Sequence, residues 1–204
     1  MANTSATGGY LLPMGGISPG EEEKSFRRVL QAWIAGCTGL DLVNVRPRWQ
    51  PVPPNQPAAA VDWCAFGTET RALEFDAYVR HDPAGIGRSM VERGSAMDLV
   101  TSFYGPGAFA YADRFASGIA LRQNRAALRA AGIAVLYVGN IVPAPALVDN
   151  RWLQKADLTV RISREINRVY GILNFTALPA SAITDTGASQ DLGCIRPQDI
   201  DNGE

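Results

Sequence analysis

The stretch VRPRWQPVPPNQPAAAVDWCAFG, residues 45–67, decides how the rest of the chain is organised. It holds five of the 13 prolines and two of the four tryptophans. Proline fixes φ and lacks a backbone donor, so the proline-rich part favours a stiff, extended connection and not a helix or an inner strand. Short β-like runs flank it at 42–49 and 61–67. We predict a rigid connection between two strands, in which Trp49 and Trp63 are placed to contact another protein.

A helix is predicted immediately before this stretch. Ser18 suits the N-cap, Pro19 suits the first helical position, and Glu21 completes a capping box. Apolar residues then follow at helical spacing and form one stripe that faces a core: Phe26, Val29, Leu30, Trp33, Ile34 and Cys37. Gly36 and Gly39 mark the end of the helix.

Downstream of residue 67, alternating apolar and polar residues predict half-buried strands. These strands are 71–80, with Leu73, Phe75 and Val79 inward; 97–103; a short buried strand at 133–138; and 155–166, the clearest of them. Residues 81–95 are predicted to be a long loop. The order of helices and strands indicates an α+β fold, with a mainly antiparallel sheet flanked by helices.

The segment 108–131 has a helical pattern that Gly118 and Gln123-Asn124 can divide into two helices, and Gly132 suits the position after the helix end. We expect one α+β domain over 18–175. The uncharged, glycine-rich residues 1–17 form an N-terminal arm, and residues 176–204 form an acidic C-terminal tail or arm.

Composition narrows the classes of function. The 204 residues are 47% hydrophobic and 19% charged, with a net charge of −1, so nothing global marks a nucleic-acid binder. Residues 105–170 carry nine basic against four acidic residues, whereas 171–204 carry one against five, which suggests contact between the two regions or simply two solvated surfaces. Three separated cysteines fit neither a zinc site nor a disulfide framework. No segment has the length of a membrane helix or the form of a signal peptide.

No motif in the sequence assembles a catalytic, cofactor or metal site. The single histidine, His81 beside Asp82, could act as a general base, but no nucleophile motif accompanies it, and an exposed loop histidine is the simpler interpretation. No glycine pattern matches a dinucleotide or phosphate loop. We therefore predict that the protein is not an enzyme; a small enzyme using His81 is kept as an alternative.

A nucleic-acid-binding module is the second alternative. Two groups of arginines could follow a phosphate backbone: Arg122, Arg125 and Arg129, and Arg161, Arg164 and Arg168. A solvated helix face or interfacial salt bridges explain the same residues.

Three segments together resemble the neck and tail terminator proteins of tailed bacteriophages. The first runs from QAWIAGCTGL (31–40) through VRPRWQP (45–51) to DWCAFG (62–67). The second is SFYGP (102–106) with the helix QNRAALRAAG (123–132), and the third is RWL (151–153) with the strand DLTVRI (157–162). The resemblance covers roughly residues 20–170 and carries no catalytic residues.

The resemblance implies a virion structural protein of the phage neck, assembled in the host cytoplasm. Such proteins form a ring, commonly sixfold, that caps the tail tube and joins it to the head-side connector around the DNA channel. The implied partners are copies of the chain, tail-tube and sheath proteins, the connector or adaptor protein, and genomic DNA passing through without sequence-specific contact; no membrane is implied. Trp and Arg dominate interface hot spots, so the candidate contact residues are Arg46, Arg48, Trp49, Arg151 and Trp152. Core packing is the alternative explanation for tryptophans, above all for Trp33 and Trp63.

Overall fold

The protein has an α+β fold built on a mixed, mostly antiparallel sheet, as the sequence predicts. A computed structural model describes residues 3–52, 55–73, 76–148, 151–175, 178–183 and 189–195. The described residues within 16–78 and 92–167 form one compact unit, and those within 1–15, 79–91 and 168–204 form another.

The elements follow one another in an order that alternates helices with strands. They are α1 (Pro19–Thr38), a 3-10 turn (Leu42–Asn44), β1 (Val45–Pro47), β2 (Trp63–Leu73), β3 (Tyr78–Asp82), β4 (Arg88–Tyr104), α2 (Ala108–Ala120), α3 (Arg122–Ala130), β5 (Ile133–Pro143), β6 (Ala146–Val148), β7 (Arg151–Leu153), β8 (Lys155–Tyr170), β9 (Leu178–Ile183) and β10 (Ser189–Ile195).

The main sheet has the order β1-β2-β4-β8-β5, and β3 pairs with β4 outside this path. The pair β1 and β2 is parallel, with Val45 opposite Cys64, whereas β2–β4 and β5–β8 are antiparallel. A parallel pair needs a crossover connection, since a tight turn can join only antiparallel strands. The proline-rich stretch between β1 and β2 supplies that connection.

The core of the larger unit lies between the helices and one face of this sheet. Helix α1 contributes Phe26, Leu30, Trp33 and Ile34, and Trp33 meets Phe115 of α2 edge-on with ring centroids 4.9 Å apart. The sheet contributes alternate residues of its central strands: Met97, Leu99 and Phe103 of β4, and Leu158, Val160 and Ile162 of β8. Each such buried side chain contributes about 1.5–3 kcal/mol of transfer free energy.

The sequence signals that predict the start of α1 are confirmed in part. The Ser18 hydroxyl accepts a hydrogen bond from the Glu21 amide at 3.4 Å, and Pro19 occupies the first helical position. The reciprocal bond of the predicted capping box, from the Glu21 carboxylate back to the Ser18 amide, is wrong. The Glu21 carboxylate binds Lys24 at 2.6 Å instead. The 108–131 helix is divided as predicted, with the break at Leu121, and Gly132 follows the end of α3 with φ of 68°.

Two predictions in the middle of the chain are wrong. The expected single strand at 71–80 is divided between β2 and β3, and Val79 is exposed; Phe75 lies outside the described residues. The expected loop at 81–95 contains the end of β3 and the beginning of β4, which form a hairpin. Near the C-terminus, β9 and β10 pair antiparallel within a region expected to be a tail, while residues 196–204 lie outside the described part.

Candidate assembly surface

Strands β5 and β8 continue past the sheet as a narrow ribbon. Pro143 of β5 pairs with Ala156 of β8, the Ala144 amide donates to the Lys155 carbonyl at 2.9 Å, and Ala146 pairs with Leu153. The register is therefore continuous from the main sheet into the small β6–β7 sheet. We call the paired segments 144–148 and 151–154 the tip hairpin.

The tip hairpin carries an exposed apolar pair. Leu147 is opposite Trp152, and the two side chains are 59% and 71% exposed. Among the hairpin side chains that the structure describes, Leu153, at its base, is the buried one. A two-stranded ribbon is marginally stable alone in water, so an uncovered tryptophan on it gains most from a partner surface. The backbone of Arg151 pairs with that of Val148.

A groove of about 410 Å³ lies at the other edge of the sheet, beside β1. Trp49 forms one wall; it is 64% exposed, and its φ of 55° is in the left-handed region that tryptophan rarely adopts. Its ring lies over Gly67, where a Cβ atom would be only 2.4 Å from the ring. We call this feature the tryptophan groove; its lining includes Arg46, Trp49, Gln56, Pro57, Trp63 and Ala65.

The opposite wall of the tryptophan groove is held by stacking and by one arginine. Trp63 stacks on Tyr104 with ring centroids 4.3 Å apart and an interplanar angle of 10°. Arg46 lies 6.0 Å from the Trp63 ring and donates to the carbonyls of Val43 and Asn55 at 3.2 and 2.7 Å. Arg46 thereby ties part of the proline-rich connection to β1 and orders this side of the groove.

Arg48 takes part in a polar chain on the sheet face away from the helices. Its guanidinium donates to Ser102 and pairs with Glu69 at 3.4 Å, and Ser102 in turn donates to Asp157. Asp157 also pairs with Lys155 at 2.7 Å. This chain links three strands, so Arg48 has a structural role within the subunit whatever else it contacts.

The five candidate contact residues therefore fall into two groups. Arg46, Arg48 and Trp49 line the tryptophan groove, whereas Arg151 and Trp152 belong to the tip hairpin, which continues β5 and β8. Sequence reasoning missed Leu147 and Gly67. A signal for the first was present: two apolar runs around Asp149-Asn150 are typical of a two-residue hairpin connection.

His81, the candidate general base, lies in the smaller unit with both ring nitrogens engaged. Its Nδ1 is 3.1 Å from the Ser89 hydroxyl, which is buried, and its Nε2 is 2.9 Å from the Asn174 side-chain oxygen. Asn174 donates its amide to the carbonyls of Pro83 and Gly85 at 2.8 and 3.1 Å. The arrangement of Ser89, His81 and Asn174 lacks the carboxylate of a Ser-His-Asp triad, and its hydroxyl is buried. The bonds from Asn174 to the turn instead hold the β3–β4 hairpin in place.

The turn of that hairpin has an ion pair of its own. Asp82 binds Arg88 at 2.8 Å and accepts a hydrogen bond from the Ala84 amide at 3.1 Å. The Ala84 amide first, and then Arg88, lower the pKa of Asp82. These groups fix the turn, and His81 adds a smaller electrostatic contribution that also lowers the pKa of Asp82.

Among the described residues, no group of three His, Cys, Asp or Glu side chains could hold a metal ion. Burial raises the pKa of the Cys37 thiol to about 11 and raises that of Cys64 further, so neither is a reactive thiolate near neutral pH. No helix in the described ranges is both long and apolar enough to cross a membrane.

Several arginines proposed for a nucleic-acid face have partners inside the subunit. Arg125 donates to the Ile119 carbonyl at 2.6 Å, Arg161 pairs with Asp98 at 3.7 Å, and Arg164 pairs with Glu22 at 3.1 Å. Arg164 also lies over the Phe26 ring at 4.4 Å. These contacts favour structural roles over a continuous phosphate-binding track.

The fold and these surfaces define a class: a small α+β protein that presents exposed aromatic surfaces at two edges of one sheet. The model of the phage neck terminator protein family matches residues 24–187, which is most of the chain. The protein therefore belongs to the phage neck terminator family, and it is a structural protein of the bacteriophage neck. No curated protein matches the chain.

Proposed function

We propose that this protein forms a ring, with six copies as the expected number, that terminates the tail tube and joins it to the head-side connector around the DNA channel. Family membership supports the position in the neck. The observation that carries assembly is the exposed Leu147–Trp152 pair on a two-stranded ribbon. Such a pair gains hydrophobic stabilisation only when another surface covers it.

The proposed partners are copies of the chain, tail-tube and sheath proteins below the ring, and the connector or adaptor protein above it. Genomic DNA passes through the lumen without sequence-specific contact. The protein works in the virion after assembly in the host cytoplasm, and it acts without catalysis. Residues 18–175 form the domain that builds the ring, while 1–17 and 176–204 act as arms toward neighbouring proteins.

The mass and shape of the purified protein, alone and with uncapped tail tubes, test this function. We expect either a ring in solution or a monomer that becomes a ring on the tubes, seen by light scattering and electron microscopy. A compact monomer or dimer that ignores tubes and connectors would contradict the proposal.

Substitutions at the candidate contact residues separate assembly from folding. We expect Trp49→Ala and Trp152→Ala to keep the circular dichroism of the wild type and to lose ring formation, because both side chains are largely exposed in the subunit. Phe109→Ala is the matched control, since Phe109 is an aromatic residue of similar exposure, 55%, on helix α2. Loss of the monomer fold in Trp152→Ala would instead assign this tryptophan to the core.

A further inference from the structure

The base of the tip hairpin contacts the chain just after strand β4. The Gly105 amide donates a hydrogen bond to the Gln154 carbonyl at 3.2 Å. Gly105 has a φ of 106°, and a Cβ atom there would lie 2.5 Å from the Asp62 carboxylate and 2.7 Å from the Val61 carbonyl. The backbone of Gly105 therefore lies between the base of the hairpin and the residues that lead into β2.

An aromatic contact continues from the hairpin base to a wall of the tryptophan groove. The Lys155 ammonium lies 5.9 Å from the centre of the Tyr104 ring, which is within the range of a cation–π interaction. Tyr104 stacks on Trp63, and Trp63 lines the groove. The groove wall is thus two side-chain contacts away from the first residue of β8.

A chain of polar contacts starts from the same lysine. Lys155 pairs with Asp157 at 2.7 Å, Asp157 accepts a hydrogen bond from Ser102, and Ser102 accepts one from Arg48, which also lines the groove. Ser102 is buried, and the Lys155 and Asp157 side chains are less than one third exposed. Solvent therefore screens these charges less than it screens charges on a free surface. Lys155 is the residue that the aromatic and the polar contacts share.

The tip hairpin is an element with two states, closed and open. It is a two-stranded ribbon whose opposed side chains, Leu147 and Trp152, are largely exposed, and such ribbons are marginally stable in water. The Ala144 amide closes its base by donating to the Lys155 carbonyl at 2.9 Å. Opening of the ribbon as far as its base breaks this bond and the bond from Gly105 to Gln154, which removes two restraints beside Lys155.

We propose that the closed tip hairpin fixes the Trp63 ring through Lys155 and Tyr104, so that the hairpin and this wall of the groove form one cooperative unit. Any surface that covers Leu147 and Trp152 stabilises the closed hairpin and thereby orders Trp63. By linkage, immobilising Trp63 stabilises the closed hairpin to the same extent. The coupling belongs to the subunit whatever covers either surface, whereas its use in a ring rests on the proposed function.

Fluorine NMR of the full-length protein, with 5-fluorotryptophan at all four tryptophans, tests the coupling. Leu147→Gly opens the hairpin, because it removes a cross-strand pair and places glycine in a strand. We expect hydrogen exchange of the Gly105 amide to become about tenfold faster. We also expect the Trp63 resonance to move toward its position in Tyr104→Leu, which lacks the stacking partner. The resonance of Trp33, which is buried against Phe115, should not move.

Leu136→Gly is the matched control for this substitution. Leu136 is an exposed leucine of strand β5, at 55% against 59% for Leu147, and its substitution should leave the Trp63 resonance unchanged. Faster exchange at Gly105 with an unmoved Trp63 resonance overturns the proposal, because the hairpin then opens without affecting the groove wall. Unchanged exchange at Gly105 also overturns it, because the hairpin is then not a separate opening element.

A double-mutant cycle tests the role of Lys155. Lys155→Met keeps a long side chain and removes the charge, so we expect it to move the Trp63 resonance and to leave Leu147→Gly with little further effect. Arg161→Met is the control, since Arg161 is a charged residue of the same strand that pairs with Asp98. Independent effects of Lys155→Met and Leu147→Gly overturn the route through Lys155. These measurements need no ring, so their failure leaves the proposed function standing, and absence of rings contradicts the proposed function alone.

Discussion

Trp49 is held in a backbone conformation that favours glycine. Its φ of 55° places the main chain in the left-handed region, which costs about 1–2 kcal/mol for a residue with a Cβ atom. In return, its ring covers Gly67 and forms a wall of the tryptophan groove. Strain that persists at an exposed aromatic residue is typical of a binding surface.

The strain at Trp49 can be measured by comparing two substitutions that both remove the ring. We expect Trp49→Gly to be more stable than Trp49→Ala by about 1 kcal/mol, because only glycine adopts the positive φ without cost. Urea unfolding of the two variants gives the difference. Equal stabilities would show that the backbone relaxes at this position.

Gly67 allows the Trp49 ring to approach the sheet. A methyl group at this position would lie 2.4 Å from Cζ3 of Trp49, so Gly67→Ala must displace the ring. Because the displaced group is an exposed side chain, we expect a small loss of stability and an assembly defect similar to that of Trp49→Ala. Tryptophan fluorescence and ring yield measure the two effects; a normal ring yield would show that this wall of the groove is not needed.

At the scale of the elements, the end of helix α3 depends on the left-handed backbone conformation of Gly132. Gly132 follows the helix with φ of 68°, and its carbonyl accepts a hydrogen bond from the Glu165 amide of β8 at 2.9 Å. The left-handed residue turns the chain from α3 directly into β5.

The same substitution at two glycines should have opposite effects. We expect Gly132→Ala to lower the free energy of unfolding by about 1 kcal/mol, because alanine is strained at positive φ. Gly36→Ala should raise it by about 0.5–1 kcal/mol, because Gly36 lies within α1 and open space surrounds the new methyl group. Denaturant unfolding measures both, and a stabilised Gly132→Ala would contradict the assigned helix end.

Elements whose signals are local could be predicted from the sequence. The stripe of α1, the division of the second helical segment and the alternation in β8 each depend on neighbours a few residues apart. The β3–β4 hairpin could not, because its turn is bound by Asn174, which is 93 residues from His81 in the chain. Contacts at that separation leave no periodic pattern in the hairpin itself.

At the scale of the whole molecule, the residue types of the candidate surface were predictable and their arrangement was not. Trp49 and Trp152 stand out by type near β-like runs. Their positions at different edges depend on β4 and β8 lying between β2 and β5, which is set by strand pairing over long separations. That order turns a set of exposed aromatic residues into two separate surfaces.

In the proposed ring, a contact that repeats from each copy to the next would make assembly sensitive to a small fraction of defective copies. If Trp152 contributes to the proposed ring contact, each Trp152→Ala copy would remove one contact, and a ring of six would close with all contacts intact only when every copy is wild type. With one fifth of the copies defective, about a quarter of the rings remain intact, against about four fifths if the loss were proportional.

The measurement is the yield of closed rings, by native mass and electron microscopy, as the fraction of variant rises at constant total protein. Phe109→Ala, mixed in the same way, should leave the yield unchanged. The steepness of the decrease reports the number of copies in the ring, whereas a proportional decrease would contradict a contact that repeats around it.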